Sequence, residues 1–322
     1  MRIARWQHGH DRFDGVVQAG VCIPWQEELS NEAVIAGGLP LAHEAAAQLR
    51  HELAQPLAQL SLLVPLKPAS VRDFVAFEEH IEGVVRSVDG SRHVVPEWYE
   101  APTFYFTNPH TLVATNELVQ PPLSEQLDFE LELAIILGGL GNAGASNLGA
   151  AGGHDAIFGY AVLNDWSARD LQAREMKVRL GPAKGKDFAT TLGPWIVTAD
   201  EFAERHDDEG FLPLDMVARV NDVEIGRDSL AHIGWPLGEL VAYASRNSLV
   251  HSGDVLGSGT AGAGCLAELW GRGVSLPALR EGDTVVLRID GIGEVRNTIG
   301  APIELPAVPR ARRRPRLLRA YS

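Results

Sequence analysis

From Leu127 to Leu133 the chain alternates without a break, apolar side chains at the odd positions and Asp128, Glu130 and Glu132 at the even ones. A period of two predicts a half-buried strand over residues 127–136. Side chains two apart on a strand share a face about 7 Å apart, so the three acids project together and repel one another. Three arrangements satisfy that pattern: the acidic face meets water, cross-strand Lys and Arg neutralise it, or a hard divalent cation sits against it. The alternation by itself favours water.

Other patterns place the remaining elements. Met1–Trp6 and Val16–Ile23 read as short strands around a turn-rich Asp11–Gly15, and the Ala/Leu/Gln/Glu-rich residues 41–60 read as a helix ended or kinked by Pro56. Residues 1–68 are expected to form a small N-terminal α/β domain, joined through Pro65–Ala69 to a second domain over 69–322. Ser70 is placed as an N-cap with Asp73 three residues later, so a helix is expected through Ile81 with Asp73 and His80 on one face. A hairpin is expected at Asp89-Gly90 within residues 85–92, and a Gly/Ala/Asn-rich loop over 138–153. The apolar run Ile157–Leu163 reads as a buried strand delivering the polar cluster Asn164–Gln172. Further on come a strand at 194–197, a hairpin around Asn221-Asp222, and a helix over 232–246 with Pro236 in its first turn. After these follow strands at 252–260 and 266–270, the latter setting Glu268 between apolar neighbours, and two β segments between 279 and 300. Many strands and few helices predict a mostly β, α+β fold.

The formal net charge of −14 narrows the partners. Six Arg lie in the tail over 310–322, leaving 22 basic against 42 acidic residues in the body, which argues against nucleic acid as a partner. The tail reads as a solvated end. Cys22 and Cys265, the only cysteines, imply no disulfide framework and lack the sequence spacing of a zinc site. Neither a secretory apolar run nor a stretch near the ~20 residues of a membrane span is present, so a cytoplasmic protein is expected.

Four stretches in this order, Asp73–His80 (DFVAFEEH), Leu127–Leu133 (LDFELEL), Leu163–Gln172 (LNDWSARDLQ) and Gly253–Gly262 (GDVLGSGTAG), resemble the fumarylacetoacetate hydrolase family. LGPAKGKDFATTLGPW at 180–195 and the sequence around Glu268 also fit. The resemblance implies a fumarylacetoacetase-like mixed β-roll and a divalent cation, Mg²⁺ with Ca²⁺ or Mn²⁺ as alternatives. Its implied ligands are Asp73, Glu130, Glu132 and Asp165, while Asp128 matches no family ligand. It implies His80 as general base with Glu268 as its partner, since Gly83 stands where smaller members carry a Glu. Arg169, Gln172 and Lys186 match residues that stabilise negative charge, and Tyr105, Thr260 and Thr190 match contacts around metal and substrate.

What the resemblance implies for function is a metal-dependent hydrolase that cleaves a C–C bond in a β-diketone or 2,4-dioxo acid, commonly as a homodimer. Decarboxylation of a 2-oxo diacid, isomerisation of a 2-hydroxy-dienedioate, and inactive metal or ligand binding are the alternatives. Two departures point away from fumarylacetoacetate itself: Met176 replaces a substrate-binding Tyr, and Asp89 replaces an Arg, with Arg86, Arg174 and Lys177 as candidate substitutes.

Overall fold

A computed structural model describes residues 1–89 and 94–314. Its frame is a large sheet whose strands run, in spatial order, Gln55–Pro56, Val21–Pro24, Asp11–Gln18, Arg2–His8, Thr190–Thr198, Ile157–Asp165, Leu131–Leu137, Val255–Gly257, Val71–Phe74 and Phe104–Thr107. Neighbours on that path are antiparallel except for Val255–Gly257 beside Val71–Phe74. The leading strands therefore extend the same sheet, Arg2 and Ile3 standing opposite Val197 and Ile196. A second sheet orders Val223–Ser229, Asp215–Val220, Thr284–Ile289, Gly293–Ile299 and Leu118–Val119. The mostly β, α+β expectation holds, as do the hairpin at Asn221-Asp222, both residues with positive φ, and the paired segments between 279 and 300.

The strand Leu131–Leu137 is covered on both faces. Leu131, Leu133, Ile135 and Leu137 join Met216, Ala218, Leu287 and Val295 of the second sheet in the main core. Ala134 and Ile136, on the opposite face, pack with Val34, Ile35 and Ala42 from the helix Asn31–Ala46. That double cover explains the first correction. The predicted continuous, half-buried strand over 127–136 is instead interrupted at Phe129–Glu130, and all three acids of its polar face are buried. Before the break, Leu127–Asp128 pairs with Ser167–Ala168.

Other expectations yield to tertiary context. The helix placed at 41–60 lies at Asn31–Ala46 instead, started by Ser30, whose hydroxyl accepts from Ala33 N, and broken at Gly38, where φ is 74°. Asp11–Gly15 is strand, the turn falling at Gly9-His10. Asp73 is on the buried strand Val71–Phe74, not on a helix, because four consecutive buried side chains there align with Val255–Gly257. The helix starts only at Glu78, so Asp73 and His80 come from different elements. It continues to Asp89 through the expected hairpin, whose Gly90 lies outside the described residues, as do tail residues 315–322. Of the loop over 138–153, the end is the short helix Ala150–Asp155.

Glu268 is on a helix, Leu266–Gly271, where a strand was predicted. The reason is its capping. Asp128 accepts hydrogen bonds from Leu266 N at 2.7 Å and Ala267 N at 3.0 Å, and Cys265 Sγ accepts from Glu268 N at 3.4 Å. Three donors with no partner inside the helix are thereby satisfied.

Candidate active site

Three strands of the large sheet, with Val255–Gly257 among them, position the acids. Leu131–Leu137 brings Glu132, with Glu130 at the break just before it; Ile157–Asp165 ends in Asp165, and Val71–Phe74 brings Asp73 across the intervening Val255–Gly257. Gly257 stands opposite both Ala134 and Asp73. A Cβ there would lie 2.4 Å from Asp73 Oδ1 and 2.8 Å from Glu132 Oε2, so the missing side chain is the space in which the two carboxylates meet. Asp73, Glu130 and Glu132 each offer an oxygen within 4.8 Å of the others. Thr260 Oγ1 donates to Glu132 Oε1 at 3.3 Å.

Two cations border this cage, Lys186 buried and Arg169 partly buried. Lys186 Nζ donates to Asp165 Oδ2 at 2.6 Å and also to Glu130 Oε2. Arg169 donates at 2.8 Å to both Asp128 Oδ2 and Glu130 Oε1, and at 3.1 Å to Gln172 Oε1. Tyr105 donates its hydroxyl to Asp165 Oδ2 at 2.5 Å. Asp128, which matches no family ligand, ties Arg169 to the helix that carries Glu268.

The charges do not cancel. Among the described residues, Asp73, Glu130, Glu132 and Asp165 face two permanently charged cations, Lys186 and Arg169, and Arg169 is shared with Asp128. Burial pushes Glu132 and Asp165 well above the ordinary carboxylate range, with repulsion from Asp73 adding to it, and burial raises Asp73 as well. Glu130 is equally buried, yet Lys186, Arg169 and His80 hold it below that range. Among the described residues, Asp73 Oδ1, Glu132 Oε2 and Asp165 Oδ1 are buried oxygens without a hydrogen-bond partner. Were all four acids ionised, they would outnumber these cations by two; that imbalance and the orphaned oxygens of Asp73 and Glu132, both in the close Asp73–Glu130–Glu132 cluster, suit a hard divalent cation, which takes oxygen ligands. Thr190, opposite Asp165 in the register, is buried too, and its hydroxyl is also without a partner.

His80 stands between this cage and Glu268. Its Nε2 lies 3.9 Å from Glu130 Oε1 and its Nδ1 lies 3.6 Å from Glu268 Oε2. Glu268 is fully buried, and its other oxygen accepts from Ala263 N at 2.8 Å and from Arg272. Gly83, one helical turn after His80, makes the room: a Cβ there would lie 2.1 Å from Glu268 Cγ. The sequence pointed to Gly83 only as the absence of a Glu, and it carried no signal for Gly257 or for the Arg272 clamp. Met176, Arg174 and Lys177 are exposed, and the side chains of Arg86 and Asp89 lie outside the described residues.

Comparison with known proteins bears on the family and the fold. Residues 69–300 match the fumarylacetoacetate (FAA) hydrolase C-terminal family. The fumarylacetoacetase of Arabidopsis thaliana is 28% identical over 313 residues, covering 83% of this chain and 73% of its own length. That of Bos taurus is 27% identical over 289 residues, covering 76% and 68%. Among solved structures, a fumarylacetoacetate hydrolase from psychrophilic Exiguobacterium antarcticum is 26% identical with a TM-score of 0.71, covering 94% of this chain and 99% of its own. Maleylpyruvate hydrolase from Sphingobium sp. SYK-6, solved with manganese(II) and pyruvate, shares the fold at 24% identity and a TM-score of 0.67, covering 94% and 100%. No helix among the described residues is long and apolar enough to cross a membrane.

Proposed function

The chain belongs to the fumarylacetoacetate hydrolase family, and from that premise we propose that it is a metal-dependent hydrolase cleaving a C–C bond in a β-diketone or 2,4-dioxo acid. The observation that carries this reading is the placement of His80, one ring nitrogen toward Glu268 and the other toward the carboxylate cage. Neither isomerisation nor decarboxylation of an oxo acid needs a water-activating His–Glu pair, whereas hydrolysis does.

Asp73, Glu130, Glu132 and Asp165 would hold Mg²⁺, with Mn²⁺ or Ca²⁺ as alternatives, and such an ion supplies Lewis-acid polarisation of a bound carbonyl. His80 takes a proton from water at Nε2, and Glu268 steadies the imidazolium through Nδ1. The 3.6 Å separation is open by hydrogen-bond standards and has to close on substrate binding. Lys186 faces the position where negative charge develops. Arg169 donates to the Gln172 carbonyl oxygen, which turns the amide NH₂ outward as a donor. Tyr105 and Thr260 line the same cage and would contact substrate. Met176 and the segment after it, exposed rather than turned inward, leave no second tyrosine to grip a distal carboxylate, which favours an acylpyruvate-sized substrate over fumarylacetoacetate.

The test is a His80→Ala variant assayed with Mg²⁺ on acylpyruvates and fumarylacetoacetate. A loss of turnover of about 100-fold or more is expected, with wild type yielding two carbon fragments. Undiminished turnover removes His80 as the base; CO₂ or a rearranged isomer as the product removes hydrolysis.

A further inference from the structure

Beside the carboxylate cage lies a second cluster of different chemistry. His80, Cys265 and Glu268 each offer one ligand atom, all within 4.8 Å of one another and all buried. Cys265 Sγ is 3.8 Å from His80 Nδ1, and Glu268 Oε2 is 3.6 Å from that same nitrogen. The Glu268–His80 separation is too long for a hydrogen bond, and at 3.8 Å the thiol makes a weak one at best. Around a tetrahedral zinc, with bonds of about 2.3 Å to sulfur and about 2.0–2.1 Å to nitrogen or oxygen, ligand atoms of this set stand about 3.3–3.6 Å apart. The two gaps at His80 Nδ1, 3.6 and 3.8 Å, come within about 0.3 Å of that spacing.

We propose that His80 Nδ1, Cys265 Sγ and Glu268 Oε2 form a second site that takes a borderline-soft cation of the Zn²⁺ type. Two further features support it. Glu268 Oε2 is a fully buried carboxylate oxygen without a hydrogen-bond partner, while Oε1 is held by Ala263 N and Arg272, so the free oxygen is fixed in direction. The donor set, one imidazole, one thiol and one carboxylate, differs from the all-oxygen cage and selects a different ion: Mg²⁺ avoids sulfur, and Zn²⁺ prefers N and S. The two cysteines and the histidines show no zinc spacing along the chain. The cluster exists because the helices Glu78–Asp89 and Leu266–Gly271 pack together at Gly83.

Coordination releases the Cys265 proton and occupies both members of the His80–Glu268 pair. If the hydrolase reading above holds, Zn²⁺ therefore inhibits in the presence of saturating Mg²⁺, and excess Mg²⁺ does not relieve it. Binding itself does not depend on that reading.

The experiment uses the full chain, stripped with a chelator and then saturated with Mg²⁺ to fill the carboxylate cage. Co²⁺ is titrated as the optical probe, followed by Zn²⁺. A thiolate-to-cobalt charge-transfer band is expected, displaced by Zn²⁺, lost in Cys265→Ser and Cys265→Ala, and kept in Cys22→Ser. Zn²⁺ affinity should fall roughly 100-fold on losing Cys265. The serine retains an N-cap oxygen for the helix, and the alanine serves if the serine variant is unfolded by thermal melt. Absence of the band in wild type, or its persistence in a folded Cys265 variant, overturns the site. Charge transfer in a protein inactive on every oxo acid tested would uphold the site while removing the hydrolase reading.

Discussion

Gly257→Ala is the smallest change that tests the carboxylate cage. The backbone at Gly257 is in an ordinary strand, so alanine introduces no conformational strain there. Its methyl group would begin 2.4 Å from Asp73 Oδ1 and 2.8 Å from Glu132 Oε2. Carbon–oxygen contacts settle near about 3.3 Å, so the two oxygens must retreat by about 0.9 and 0.5 Å. Magnesium demands near-octahedral oxygens at about 2.0–2.1 Å, with tolerance of about 0.2 Å. Both displacements exceed that tolerance. Mg²⁺ affinity should fall about 100-fold or more, or about 2.8 kcal/mol at 1.4 kcal/mol per tenfold. The overpacking itself costs about 1–3 kcal/mol of folding stability. Titration calorimetry with Mg²⁺ reads the first effect and urea unfolding of the metal-free protein reads the second. Mg²⁺ affinity within about twofold of wild type, in a folded variant, would falsify the assignment of Asp73 and Glu132 as cation ligands.

Three further substitutions separate the parts of the site. Gly83→Ala sets a methyl group 2.1 Å from Glu268 Cγ, and Ala263 N and Arg272 pin that side chain; kcat should drop about 100-fold while Mg²⁺ binding stays within about twofold. Loss of Mg²⁺ binding in that variant would mean the pair and the cage are not separable. Lys186→Met leaves Glu130 and Asp165 without their shared cation, costing about 3–5 kcal/mol in the metal-free protein, with part regained on adding Mg²⁺; unchanged urea midpoints would show that the pair contributes nothing. Asp128→Asn weakens the acceptor of Phe129 N, Leu266 N, Ala267 N and Arg169, and an unfolding loss of about 1.5–3 kcal/mol is expected, with no change meaning that the amide replaces the carboxylate fully.

What could be read from the chain differs by kind. The hairpin at Asn221-Asp222 was legible because turn chemistry is local: both residues adopt the positive φ that Asn and Asp tolerate. The strand Ile157–Asp165 was legible as an apolar run of the right length. Short stretches decided by neighbours were not. Val71–Phe74 carries a plausible helix start in Ser70 and Asp73, yet pairing with Val255–Gly257 on one side and Phe104–Thr107 on the other makes it a strand. Leu266–Trp270 alternates like a strand, yet Asp128, 138 positions earlier than Leu266, caps it as a helix. No local window contains that interaction.

The acidic alternation at 128–132 shows why pattern alone misjudged water. Period two says which residues share a face; it does not say what covers that face. Here Glu132 lies on the side that continues into Ala134 and Ile136, and those two pack under the helix Asn31–Ala46. Once that helix and the strand of Asp73 are in place, four acids share a dry site with two cations. An isolated buried carboxylate costs several kcal/mol after relaxation, so an uncompensated pair would oppose folding without another ligand or bound protons. The upward shifts of Asp73, Glu132 and Asp165 express that cost. A divalent ion would offset the excess charge and partner the orphaned oxygens of Asp73 and Glu132 at once. On a solvent face no such ion is needed, because water hydrates each carboxylate and screens their repulsion.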